Sequence, residues 1–124
     1  MILQRVYDNL EKYIEPNKVL VLYGPRRVGK TTLIQQYLEK TRHNYRFDTG
    51  DDIRIQEILS SENLEKIRSY VGEAELVVLD EAQNIPNIGI ALKLMVDHIP
   101  GIKIIATGSA SFQLANSIGE PLVG

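Results

Sequence analysis

Residues 24–31 read Gly-Pro-Arg-Arg-Val-Gly-Lys-Thr, a complete match to the pattern G-x-x-x-x-G-K-[ST]. The run Val19-Leu-Val-Leu-Tyr23 stands directly before it, apolar throughout, as a parallel strand buried on both faces requires. A helical pattern follows, with Leu33, Ile34, Tyr37 and Leu38 on one face. Strand, glycine loop and helix in this order commit the chain to an α/β fold of βαβ units, with helices on both faces of a parallel sheet. They also predict a polyphosphate site. The loop from Gly24 through Pro25, Arg26, Arg27 and Val28 to Gly29 would bend so that backbone N–H groups face phosphate oxygens. Lys30, Thr31 and Thr32 open the helix, whose N-terminus adds partial positive charge. Lys30 would reach the β and γ phosphates, and the Thr31 hydroxyl would ligate Mg²⁺.

Further along, Leu76-Val-Val-Leu-Asp80-Glu81 is an apolar strand that ends in two acids. Such a strand buries its apolar side chains and delivers Asp80 at its carboxyl end, near the phosphate loop. Asp80 would hold the Mg²⁺ shell opposite Thr31, and Glu81 would polarise the water that attacks the γ-phosphate. Ile104-Ile-Ala-Thr107-Gly-Ser109 has the same grammar, an apolar strand that ends in hydroxyl residues. Thr107 or Ser109 would sense the γ-phosphate and the lytic water; the bland alternative is that Thr107 ends the strand and Ser109 caps a helix.

The remaining segments fit the same plan. Leu3, Val6, Leu10, Tyr13 and Ile14 predict a helix over residues 2–14 that stops before Pro16. A strand is expected at Asn44 to Phe47. The turn Asp48-Thr-Gly-Asp-Asp52 would cap a helix from Ile53 to Leu59, and a second helix would run from Leu64 to Val71. Asn87 is the expected N-cap of a helix that buries Ile88, Ala91, Leu92 and Met95. A strand from Ile102 to Thr107 and a short helix from Ser109 to Asn116 complete the reading. The acids Asp48, Asp51 and Asp52 read as turn and cap residues rather than a metal cluster. His43 and His98 have no metal-ligand spacing and read as surface residues. Gln83 reads as a polar helix-start residue, with orientation of Glu81 or of water as the alternative. Arg26 and Arg27 read equally well as phosphate or subunit contacts and as solvated loop residues.

The segments Gly24-Pro-Arg-Arg-Val-Gly-Lys-Thr-Thr-Leu33, Leu79-Asp-Glu-Ala-Gln83 and Ala106-Thr-Gly-Ser-Ala-Ser-Phe112, in this order, resemble the AAA+-type ATPases of bacteria and archaea. There the ATPase domain commonly precedes a DNA-binding-like or nuclease-like C-terminal domain. The resemblance covers nearly the whole chain. It implies a three-layer P-loop NTPase sheet of AAA+ order, with the P-loop strand beside the sensor strand. Members of that family continue past the position of Gly124 with an arginine, a fifth strand and a C-terminal region. The resemblance therefore implies an N-terminal fragment, truncated before the fifth strand and lacking an arginine finger. An exposed edge of the P-loop strand would favour homo-oligomers. A DNA or protein partner would be engaged through the missing region.

Bulk properties agree with this reading. The 124 residues make one domain, 1–124, of ordinary composition: 44% hydrophobic and 24% charged. There is no cysteine, no membrane-length apolar run and no signal-peptide pattern, so a cytoplasmic location is expected. The net charge of −2 argues against non-specific nucleic-acid binding. Residues 1–50 are net basic and residues 51–100 net acidic, which reads as two solvated faces. Three activities fit: hydrolysis of Mg·ATP, an ATP-dependent switch with little turnover, and phosphate transfer to a small acceptor. Glu81 directly after Asp80 favours water activation over the third, and GTP is disfavoured because no Asn-Lys-x-Asp motif occurs.

Overall fold

Alternation along the apolar runs decides how the sheet is covered. The computed structural model describes residues 10–23, 28–108 and 120–123. In chain order the elements are β1 (Lys18–Tyr23), α1 (Val28–Lys40), β2 (Tyr45–Thr49), α2 (Ile53–Leu59), α3 (Leu64–Val71) and β3 (Leu76–Asp80). A 3-10 turn (Ala82–Asn84), α4 (Ile88–His98), β4 (Lys103–Gly108) and β5 (Glu120–Val123) follow. Residues 10–13 are helical, in agreement with the end of the first expected helix, and residues 1–9 lie outside the described part. So does the helix expected from Ser109 to Asn116.

The strands form one sheet in the order β2-β3-β4-β1-β5, with parallel pairing throughout. Successive residues of a strand point to opposite faces. Val19, Val21, Val77, Leu79, Ile104 and Ala106 therefore share one face, where they pack with Ile55, Leu59, Ile67, Leu92 and Met95 from α2, α3 and α4. Leu20, Leu22, Leu76, Val78 and Ile105 share the other, beneath Ile34, Tyr37 and Leu38 of α1 and with Leu10 and Ile14. The result is three layers with a separate core on each face, as the α/β reading required.

The expected truncation before a fifth strand is corrected. Residues Glu120–Val123 pair with Leu20–Tyr23, so the β1 edge is covered. The segment is short and carries Pro121, which demotes a strand reading, yet an edge strand tolerates proline because one side of its backbone needs no ladder partner. The P-loop strand does lie beside β4, as the family order implied.

Helix caps follow the sequence with one exception. The Asp52 carboxylate accepts the Arg54 N–H at 2.9 Å to start α2, and Asn63 Oδ1 accepts the Lys66 N–H at 3.1 Å to start α3. Gly72, at φ 58°, ends α3. Asn87 stands where its cap was expected but makes no side-chain cap hydrogen bond; it takes a left-handed conformation, and its carbonyl accepts the Ile90 N–H. Asp48 is not a turn residue either. Pairing with β3 carries β2 on through Thr49, and Asp48 Oδ2 accepts the Arg46 Nε–H at 2.8 Å and the Tyr70 hydroxyl at 2.6 Å. Among the described residues no helix is long and apolar enough to cross a membrane.

Candidate functional site

Register brings the site together. Leu22 is level with Thr107 and Tyr23 with Gly108, while Leu79 is level with Ala106. Asp80 and Thr107, each one residue further on, therefore sit at the carboxyl end of the sheet where β1 hands over to the glycine loop. The chain leaves β1 for β2 and leaves β4 for β5, in opposite directions along the sheet. Such a reversal opens a crevice beyond the carboxyl ends, where open α/β sheets bind ligands.

At that end the backbone turns sharply. Asp80 is half-exposed, and Glu81 is buried at 7% exposure with φ 52° and ψ 48°. A left-handed glutamate costs roughly 1–2 kcal/mol unless its surroundings fix it. Neighbours on three sides do so. Thr107, fully buried, donates its hydroxyl proton to Asp80 Oδ1 at 2.5 Å and accepts the Glu81 N–H at 3.1 Å. From the turn after β2, the Gly50 N–H donates to the Asp80 carbonyl at 2.7 Å. From the 3-10 turn, Gln83 Nε2 donates to Glu81 Oε1 at 2.8 Å and the Asn84 N–H donates to the Glu81 carbonyl at 3.1 Å.

Gly50 is a residue the sequence did not single out. A Cβ at this position would fall 2.2 Å from the Glu81 carbonyl oxygen, so only glycine admits the approach. A glycine just after a strand was the available signal, but nothing in its spacing revealed the contact. The same β2–α2 turn is tied down by Asn84 Nδ2, which donates to Asp51 Oδ1 at 2.7 Å, and by Gln56 Nε2, which donates to the Gly50 carbonyl at 2.7 Å.

The AAA domain family matches residues 16–124. The chain belongs to the AAA domain family. An uncharacterised protein of Methanocaldococcus jannaschii is 30% identical over 122 residues, which is 89% of this chain and 26% of that protein. One of Mycobacterium tuberculosis is 28% identical over 116 residues, covering 93% of this chain and 25% of its own length. The chain thus spans about a quarter of the length of these relatives. An ATP-binding protein of Pyrococcus horikoshii is 55% identical over 31 residues, 25% of this chain and 10% of its own. Among solved structures, a DNA replication initiation factor superposes with a TM-score of 0.55 at 18% identity, covering 87% of this chain and 36% of that one. The replication initiator DnaA bound to AMPPCP and single-stranded DNA gives 0.53 at 16%, covering 96% and 41%. At these identities the likeness is one of fold.

Within this AAA domain, Asp80, Glu81 and Thr107 are in mutual contact, and Gln83 joins them. Gly24, Pro25, Arg26, Arg27 and Ser109 lie outside the described residues. Val28, Gly29, Lys30, Thr31 and Thr32 form the first turns of α1, whose side chains up to residue 33 are likewise outside the description. The donor chemistry fits Mg²⁺: a half-exposed carboxylate at a strand end, steadied through one oxygen by Thr107, is a hard oxygen ligand. His43 instead stands 3.4 Å from Glu11 and 3.8 Å from Glu75, away from these acids, and among the described residues no cluster of three metal-ligand side chains occurs.

Proposed function

We propose that this AAA domain binds Mg·ATP at residues 24–31 and hydrolyses it with water activated by Glu81. The observation that carries the reading is the Asp80–Thr107–Glu81 cluster at the end of β3 and β4, level with the carboxyl end of β1. Asp80 and Thr31 would hold Mg²⁺, which when bound neutralises charge on the phosphate oxygens. Lys30 and the α1 N-terminus would draw the polyphosphate in. The Glu81 carboxylate would take a proton from water as its oxygen bonds the γ-phosphorus. The bond to the β-bridging oxygen then breaks, and ADP leaves with the electron pair. Thr107 spends its single proton on Asp80, so its part is to hold both acids in place rather than to donate to phosphate. The cytoplasm is the compartment that supplies this nucleotide. A DNA or protein partner, or a second copy that lends an arginine, would belong to the longer protein of which the relatives are examples.

Calorimetric titration with Mg·ATP and Mg·GTP, with phosphate release followed in parallel, tests the reading. ATP binding is expected, and Lys30→Ala is expected to weaken it by about 100-fold through lost charge-assisted hydrogen bonds. Binding without phosphate release would replace hydrolysis by the switch reading. No ATP binding by folded protein would end both.

A further inference from the structure

Gln83 is a polar side chain beside Glu81 that the proposed reaction leaves unused. Its Nε2 donates to Glu81 Oε1 at 2.8 Å. Its own Oε1 is buried and has no hydrogen-bond partner among the described residues. A buried amide oxygen without a donor is costly, and such groups are normally satisfied by protein or by a held water. The two ends of one amide group lie side by side, so the orphan acceptor sits within a water's reach of the Glu81 carboxylate. The 3-10 turn Ala82–Asn84 fixes that amide: Ala82 is fully buried, and Asn84 is hydrogen-bonded to Asp51.

We infer that Gln83 is a positioning residue for the hydrolytic water. Its N–H sets the Glu81 carboxylate, and its carbonyl oxygen accepts one O–H of the water whose other O–H faces Glu81. A water with both hydrogens engaged has its lone pairs directed away from these two acceptors, toward the attacked phosphorus. Gln83 itself neither gains nor loses a proton; the transferred proton goes to Glu81.

This inference rests on the hydrolytic reading, and the test separates the two. Single-turnover phosphate release and ATP affinity are measured for the wild type, Gln83→Met, Gln83→Glu, Glu81→Gln and the double variant Glu81→Gln/Gln83→Met. Gln83→Met keeps the length and loses both polar ends, while Gln83→Glu keeps an acceptor and loses the donor, so one of the two remains informative should the other fold poorly. The expected result is a fall in the hydrolytic rate of about 10- to 100-fold with ATP affinity unchanged, as for loss of a hydrogen bond to a charged group. In the Glu81→Gln background, Gln83→Met should change nothing further, because residues that act as a unit are not additive. Wild-type turnover that Gln83→Met leaves intact, or an additive double variant, would overturn this inference alone. ATP binding without any phosphate release from the wild type would overturn the hydrolytic reading and this inference with it.

Discussion

Thr107 has one hydroxyl proton to give, and Asp80 receives it; the same oxygen takes the Glu81 N–H. Thr107→Val keeps the volume but strands a buried N–H, so a loss of about 1–3 kcal/mol is expected in urea unfolding, together with slower phosphate release. Thr107→Ser should restore most of both. Gly50→Ala is expected to cost about 1–3 kcal/mol as an overpacking substitution, because its methyl must displace the Glu81 carbonyl. Phosphate release should fall with it while ATP affinity holds, a split that parallel calorimetry and release assays would read. At this scale the placement was legible. Asp80, Glu81 and Thr107 announced themselves as polar residues at the ends of apolar runs. Gly50 did not, because its role lies in what its backbone touches from another strand. Thr107 was legible in place but not in partner, since a sequence does not say where a hydroxyl points.

The elements divide in the same way. The bounds of α2 and the end of α3 could be read because Asp52 and Gly72 mark them, while the Asn63 cap of α3 shows only in its hydrogen bond from the Lys66 N–H. Asn63→Ala should therefore lower stability by about 1 kcal/mol, measured by chemical denaturation. The end of β2 could not be read, because Asp48 looked like turn chemistry and only its contacts with Arg46 and Tyr70 explain it. Burial pushes the Tyr70 phenol far above its ordinary value of 10.0, and the hydrogen bond to Asp48 adds to the shift. The native state thus holds this proton more tightly than the unfolded chain does. Its contribution is complete below pH 10 and is lost as the pH rises beyond that. Unfolding free energies across alkaline pH should fall less steeply in Tyr70→Phe than in the wild type.

Across the whole molecule, the three layers were legible because β1, β3 and β4 carry apolar residues on both faces, whereas the place of the P-loop strand beside β4 came from the family resemblance. The fifth strand was not, because Glu120–Val123 is held by its partner rather than by its own pattern. Deleting residues 120–123 should uncover the β1 edge, and sedimentation would then show concentration-dependent association. The contact between Gly50 and Glu81 also bears on how substitutions would be distributed. In a library that samples every side chain at every position, selected for turnover, position 50 should be as intolerant as the phosphate loop. Depletion there would record a backbone seated against a backbone, and a map of intolerant positions would trace the support of Glu81 as clearly as its chemistry.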